Sequence, residues 1–309
     1  MMHRFDFVVI GSGPAGQRGA IQAAKLEKRV AVVERRQVVG GVSLHTGTIP
    51  SKTLREAVLY LAGGRESSFY GRSQRPRQAS IEDLMHRLEI TLAHEIEVMR
   101  HQLARNGVTV VYGTASFLDP QHIQVVNALG DVSVLEAEKV LIATGTHPRR
   151  PPDIHFDDTI IDSDGVPRMK RLPRTLTVVG AGVIGVEYAS LFSALDVEVT
   201  LIDERTALLD FLDREVVDEL LHYMRDRGVV VRLGEQATKL EKGENGHILV
   251  YLASGKRLYP NWCWSPPDGR ALRTAYAWRT SGLRWTSGIG SRWTRTTARR
   301  CPTFMLRAM

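Results

Sequence analysis

Short, wholly apolar runs alternate along the chain with stretches whose apolar positions recur at helical spacing. Phe5-Asp6-Phe7-Val8-Val9-Ile10 reads as a buried parallel strand, residues 14–27 as a helix, and Val30-Ala31-Val32-Val33 as the next strand, ending at Glu34. Residues 51–66 and 81–105 read as helices; the second carries Ile81, Leu84, Met85, Leu88, Leu92, Ile96 and Met99 on one face. The polar stretch from Ser67 to Ala79 reads as a loop. Strands are predicted at residues 108–111, 123–126 and 139–143, the last closing on Thr144-Gly145. Pro148, Pro151 and Pro152 then mark a linker, because proline suits neither a helix interior nor a central strand. After it the pattern starts again: strand 175–179, helix 183–194, strand 197–202, helix 215–227 and strand 229–231. Residues 248–251 and 256–258 fit a hairpin across Ala253-Ser254-Gly255. The repeat predicts an α/β fold of two Rossmann-like dinucleotide-binding domains, residues 1–150 and 151–260, followed by a tail at 261–309.

Each repeat turns from strand to helix through a glycine-rich segment. The first is Gly11-Ser12-Gly13-Pro14-Ala15-Gly16 and the second Gly180-Ala181-Gly182-Val183-Ile184-Gly185. In such a turn the first glycine permits the tight bend. The second lets backbone approach a pyrophosphate, and the third lets helix and strand pack closely. The phosphates then meet unpaired N–H groups at a helix N-terminus. Glu34 and Asp203 stand at the ends of the following strands, where a carboxylate can accept from ribose hydroxyls; for Glu34 the alternative is a solvated strand-end acid. Arg205, two residues past Asp203, could pair with the 2′-phosphate of NADP or form an ordinary surface ion pair. Two such units on one polypeptide suit electron transfer from one dinucleotide to another.

The net charge of +7 is unevenly spread. Residues 261–309 hold nine arginines and one acid, +8 in sum, which leaves −1 for residues 1–260. All five tryptophans and both cysteines, Cys263 and Cys301, also fall there. Basic, aromatic tails occur in nucleic-acid binders, but this one has a simpler origin, given below, and no nucleic-acid partner is expected. No apolar run is long enough for a membrane span. Met1 leads almost directly into a strand, so no secretory signal is read and a cytoplasmic location is expected. The histidines and cysteines lack metal-ligand spacing, and no metal is expected.

The segment Gly40-Gly41-Val42-Ser43-Leu44-His45-Thr46-Gly47-Thr48-Ile49-Pro50-Ser51-Lys52 resembles that of the two-dinucleotide flavoprotein reductases, such as dihydrolipoamide dehydrogenase and glutathione reductase. There it carries two cysteines that relay electrons through a disulfide. Here those positions hold Ser43 and Thr48, and residues 1–260 contain no cysteine. A hydroxyl cannot cycle between dithiol and disulfide, which removes disulfide reduction; the alternatives are a dihydrolipoamide dehydrogenase-like protein lacking its redox disulfide and a non-catalytic nucleotide-binding remnant. Residues 47–59, the second glycine turn with its helix, and Leu209-Asp210-Phe211-Leu212-Asp213 are similar to the Si-specific soluble pyridine nucleotide transhydrogenase branch, over roughly residues 5–260.

That resemblance implies FAD on the first glycine turn, with Gly41, Ser43, Thr48 and Ala143-Thr144-Gly145 beside it, and NAD or NADP on the second. It implies hydride transfer between NADPH and NAD+ through the flavin, tuned by a buried Lys52–Glu187 pair, in a homodimer. For Lys52 the alternative is a helix-surface lysine, and for Glu187 an acid complementing a helix dipole. His45 is given no catalytic part. The resemblance stops at the tail. The codons for Cys263-Trp264-Ser265-Pro266-Pro267-Asp268-Gly269, read one nucleotide earlier, allow Val-Leu-Val-Ala-Ala-Gly-Arg, a strand and glycine turn similar to the family's. The expectation is therefore an out-of-frame, disordered tail, loss of the last strand of the second domain and of a C-terminal interface domain, and weak flavin retention with little activity.

Overall fold

The computed structural model describes residues 2–63, 80–148, 150–151, 154–243, 248–264, 270–271 and 304–307. The expected loop at 67–79, Pro152 and most of the tail, Cys301 included, lie outside the described residues. The chain falls into two units. One draws on Met1–Ile49, Thr91–His147 and the described strands beyond residue 269; the other on Pro50–Ile90 and Pro148–Asp268.

Elements follow in chain order: β1 (Met2–Ile10), α1 (Pro14–Lys25), β2 (Val30–Glu34), α2 (Gly41–His45), α3 (Thr48–Gly63), α4 (Ile81–Arg105), β3 (Thr109–Tyr112), β4 (Thr114–Phe117), β5 (His122–Val126), β6 (Val132–Ile142) and β7 (Thr146–His147). In the first unit the strand order is β3-β2-β1-β6-β5-β4, with β1, β2, β3 and β6 mutually parallel and β4 and β5 antiparallel. β1 therefore has β2 on one side and β6 on the other, a switch point of the strand order whose carboxyl end is the usual ligand position in such sheets. β1 alternates between two cores. Val8 and Ile10 pack with Ala31, Val33, Ile123 and Val140, while Phe7 and Val9 pack with Ala20, Val30, Val32 and Leu141. Sheets covered on both faces need such unbroken apolar runs.

The second unit continues with β8 (Ile160–Ile161), a single 3-10 turn at Val166–Arg168, β9 (Thr175–Val179), α5 (Val183–Ser193), β10 (Glu198–Asp203), α6 (Arg214–Asp226), β11 (Val230–Leu233), β12 (Ala237–Lys242), β13 (Ile248–Leu252), β14 (Arg257–Leu258) and β15 (Trp262–Trp264). Its sheet, β11-β10-β9-β15-β8, is parallel throughout, so β9 stands where β1 stands in the first unit. β12, β13 and β14 form a separate antiparallel sheet that includes the expected hairpin. Asp213 caps α6 by accepting from the Glu215 N–H at 2.9 Å.

Three expectations differ from the structure. The helical stretch assigned to the first domain groups in part with the second, through α3. β4, β8 and β12 were not foreseen; β8 is only two residues long, and β12 (Ala237-Thr-Lys-Leu-Glu-Lys) is mostly polar, so neither carries a strand-like apolar run. Most tellingly, the expected tail begins inside the fold: Trp262, Cys263 and Trp264 are all buried in β15, between β9 and β8. Three consecutive apolar residues with good strand geometry fill a central sheet position whatever their origin. Two further strands, β16 (Arg270–Ala271) and β17 (Phe304–Arg307), pair antiparallel with β7 and β6.

Candidate functional site

The two glycine turns divide their glycines by purpose. At Gly11 φ is +105°, and a Cβ would stand 2.3 Å from the Ala143 carbonyl oxygen. That contact brings Ala143-Thr144-Gly145 against the first turn. A Cβ at Gly16 would stand 1.9 Å from the Gly11 carbonyl oxygen, and one at Gly185 1.9 Å from that of Gly180. The protein itself therefore demands these outer glycines. The middle ones are different. Gly13 and Gly182 have ordinary φ values of −65° and −74°. Their Cβ atoms would find only the Gly41 Cα at 3.9 Å and the Arg205 Nη2 at 4.0 Å. Folding does not require glycine at either position, whereas a phosphate approaching the backbone does. The residues present thus fit a diphosphate at each turn.

The helices behind the turns supply donors. Pro14 opens α1 without an N–H, and the first intrahelical bond runs from Gln17 to Gly13, so the N–H groups of Ala15 and Gly16 precede the ladder. In α5 the first such bond runs from Val186 to Gly182. Gly41, at φ +61°, lies so close to Gly13 that a Cβ would come within 2.8 Å of its Cα. Ser43 falls within α2 and Thr48 opens α3. His45 hydrogen-bonds the Val39 carbonyl at 3.0 Å, and burial lowers its pKa, a structural arrangement.

The two strand-end acids are held by different partners. Glu34 is buried; its Oε2 accepts from the Ser12 N–H (3.1 Å) and hydroxyl (2.5 Å), and its Oε1 from the Arg36 N–H (3.0 Å). Ser12 also accepts from the Gly40 N–H at 3.0 Å, making it the hub of the first turn. Sequence reasoning passed over Ser12; a hydroxyl between two glycines, with an acid at the end of the next strand, was the available signal. Asp203 accepts from the Ala181 N–H (2.5 Å), the Arg205 N–H (2.8 Å), Arg205 Nε (2.9 Å) and Arg205 Nη2 (2.7 Å). Burial works to raise its pKa, but the Arg205 guanidinium and the two backbone donors outweigh it and hold the carboxyl below the usual range.

Lys52 on α3 and Glu187 on α5 form an ion pair within the second unit. The pair is less buried than expected: the Lys52 side chain is 56% exposed, at the wall of an open cleft of about 670 Å³ that also includes Arg55, Leu59, Val183 and Tyr223. Behind the second turn Trp264 packs edge-on to Tyr188, with ring centroids 5.5 Å apart, and a Cβ on Gly185 would lie 3.4 Å from it. Trp264 was missed because it was assigned to the tail. Cys263, the free cysteine among the described residues, is buried, and desolvation pushes its thiol up to about 12, far from redox-active. Among the described residues no cluster of acids, histidines or cysteines could hold a metal ion, and no helix is long and apolar enough to cross a membrane.

Two sheets, one mixed and one parallel, each carry a glycine turn whose residues fit a diphosphate and a carboxylate at the end of the next strand, the arrangement of a two-dinucleotide fold. The chain belongs to the pyridine nucleotide-disulphide oxidoreductase family, whose model matches residues 5–283 and so continues past residue 260. It is 46% identical over 260 residues to a soluble pyridine nucleotide transhydrogenase of Mycobacterium bovis (strain BCG / Pasteur 1173P2), a match covering 83% of this chain and 55% of the relative. It is 41% identical over 266 residues to the soluble pyridine nucleotide transhydrogenase of Ectopseudomonas mendocina, covering 85% and 57%. The chain thus spans little more than half the length of these relatives. Among solved structures, a copper(II) complex of the HOCl-induced flavoprotein disulfide reductase RclA from Escherichia coli superposes with a TM-score of 0.80 at 24% identity, over 93% of this chain and 61% of that one.

Proposed function

We propose that the chain forms the dinucleotide-binding part of a cytoplasmic flavoprotein oxidoreductase that moves hydride between NADPH and NAD+. The middle glycines carry this reading, since a Cβ at Gly13 or Gly182 would meet a neighbour only at ordinary contact distance, 3.9 and 4.0 Å, so that packing does not demand glycine at either position. The first turn, with Gly11, Gly13, Gly16, Glu34 and Gly41, would hold FAD. The second, with Gly180, Gly182, Gly185, Asp203 and Arg205, would hold the nicotinamide nucleotide. A bound flavin supplies a two-electron acceptor that takes hydride from one nicotinamide and yields it to another. Lys52 and Glu187 would offer that ring a cation kept in place by its own counter-ion. Ser43 and Thr48 leave no sulfur relay, which favours nucleotide-to-nucleotide transfer over disulfide reduction.

The reading is tested by adding FAD to the purified chain and recording its absorption spectrum before and after anaerobic NADPH. With FAD supplied to offset the weak retention expected of this chain, slow bleaching of the flavin band by NADPH and slow recovery with thio-NAD+ is the expected result. Bound FAD that NADPH leaves oxidised would overturn the reading. An out-of-frame origin for residues 261–309 belongs to the same proposal, and sequencing the gene across codon 261 decides it. The homodimer implied by the resemblance is checked by light scattering on the same preparation.

A further inference from the structure

Two arginines line a further cavity in the second unit, and a single turn holds both of them. The cavity measures about 520 Å³, within the range of small-molecule sites. None of its lining residues belongs to the second glycine turn, to the Asp203–Arg205 pair or to the Lys52–Glu187 cleft. β8 runs into a tight turn, Asp162 to Gly165. Arg150 Nε donates to the buried Asp162 carboxylate at 2.7 Å, and its guanidinium lies 5.0 Å from the Phe156 ring centroid. Arg168 donates through Nε (3.2 Å) and Nη2 (2.9 Å) to the Asp164 carbonyl of the same turn. Among the described residues, both Nη groups of Arg150 and Nη1 of Arg168 are left uncommitted. Fixing a long side chain costs entropy. A guanidinium held by one edge, with the other open, is what two-point recognition of an anion requires.

The acids at the cavity are already engaged. Asp162 accepts from Arg150 and from the Gly165 N–H at 3.1 Å. Asp157 accepts from Lys242, from the Thr159 N–H and hydroxyl and from the Ile160 N–H. Asp158 is exposed and faces Lys170 at 3.7 Å. Arg171 adds one more cation, and the buried Met169 and Trp262 give the lining an apolar part. We infer that this cavity is a second ligand site, for a small organic dianion: a phosphate monoester or a dicarboxylate with a compact apolar body. The anion takes the uncommitted N–H groups of Arg150 and Arg168, and the body lies against Met169 and Trp262. Asp162 keeps its bond to Nε throughout, so no buried charge loses its partner. The site stands whether or not either glycine turn holds a nucleotide.

The test uses the full chain and calorimetry with phenyl phosphate and phthalate, which share a ring and differ in the anion. At least one should bind, and the tighter of the two names the anion. Arg150→Gln and Arg168→Gln should each weaken it by roughly 10- to 100-fold, as loss of a charge-assisted contact does. Arg150→Gln alone leaves Asp162 buried without its cation. Where thermal unfolding shows that variant to be unfolded, Arg150→Gln combined with Asp162→Asn removes both charges and takes its place. Phenol, which lacks the charge, and inorganic phosphate, which lacks the body, should each bind roughly 10-fold or more weakly than the better probe. Binding of neither probe would overturn the site. So would an affinity that survives both arginine changes, since the anion would then lie elsewhere, the glycine turns included. Phenol or inorganic phosphate binding as tightly as the better probe would overturn the assignment to an organic dianion.

Discussion

The two glycine turns share a backbone and differ in their side chains. Their third glycines, Gly16 and Gly185, would each drive a Cβ to 1.9 Å from the carbonyl oxygen of the turn's first glycine, and their middle glycines have only ordinary contacts, at 3.9 and 4.0 Å. Between the glycines, however, the first turn has Ser12 and the second Ala181. Ser12 ties its acid down with a hydroxyl; Ala181 has none to offer, and Arg205 supplies the missing donors from the far side of Asp203. A neutral hydroxyl and two backbone N–H groups hold Glu34, which keeps an acceptor position open. A charged, 41% exposed donor holds Asp203 in a way that another anion can undo. On the proposed reading, the phosphate end of each site depends on backbone and the ribose end on the choice of side chain.

The largest effect that could break this equivalence comes from the third glycines. Gly16→Ala and Gly185→Ala each drive a methyl into a backbone carbonyl, which cannot swing aside as a side chain would. Each should destabilise its unit by about 3 kcal/mol or more, at the severe end of overpacking, seen as a large drop in thermal midpoint or loss of soluble protein. Near-normal unfolding of both would show that the helices do not sit on their strands as described.

Next come the middle glycines, which separate folding from binding. Gly13→Ala and Gly182→Ala place a methyl at ordinary contact distance from its nearest neighbour and at an ordinary φ, so stability should change by no more than about 0.5 kcal/mol. Nucleotide affinity should fall by roughly 10- to 100-fold, corresponding to about 1.4 to 2.8 kcal/mol. Gly13→Ala should act on FAD and Gly182→Ala on the nicotinamide nucleotides, as read by equilibrium dialysis. A variant that folds and binds normally would remove the main reason for placing a diphosphate at that turn.

A smaller effect tests the side-chain difference. Ser12→Ala removes the hydroxyl that donates to Glu34 and accepts from Gly40, inside a fully buried network. A loss of about 1–2 kcal/mol is expected from the unpaired Gly40 N–H and the weakened hold on Glu34. The mirror change, Ala181→Ser, cannot restore that arrangement while Arg205 fills Asp203, and should not stabilise the second unit. Chemical denaturation of both variants checks the pair; stabilisation by Ala181→Ser would mean the two turns are more alike than their hydrogen bonds indicate.

Legibility in the sequence followed the same division. Features encoded by backbone need were plain: apolar runs for strands, and glycines at turns where φ is positive or a carbonyl passes close, as at Gly11 and Gly16. Features made by distant side chains were not. No local pattern tells that Arg205 folds back onto Asp203 rather than outward, because both orientations suit an exposed strand end. The meeting of Lys52 with Glu187, 135 residues apart, came from resemblance and not from spacing. Trp262–Trp264 was hidden by composition: averaged over a basic tail, three buried residues lose their apolar signal. Two-residue strands such as β8 exist only because a neighbour supplies their partner.

The smallest effect concerns acid, and it sharpens the contrast between a neutral and a charged clamp. Asp203 has its pKa lowered in the folded chain, with burial opposed and outweighed by Arg205 and the backbone donors. A carboxyl with a depressed folded pKa lends stability that is complete above its unfolded value and is lost as pH falls through the folded one. Asp203→Asn lacks that ionisation, since a neutral amide neither titrates nor pairs with Arg205. At neutral pH the variant should therefore unfold at a lower temperature than wild type. The gap should narrow steadily as pH drops below the ordinary carboxylate range, because wild type alone is losing the Asp203–Arg205 contribution. Other depressed carboxylates in the second unit, such as Asp157 beside Lys242, are common to both proteins and cancel in the difference. Unfolding midpoints measured on both proteins down the acid limb give the answer, and a gap that stays constant with pH would mean the charge of Asp203 contributes nothing that an amide cannot.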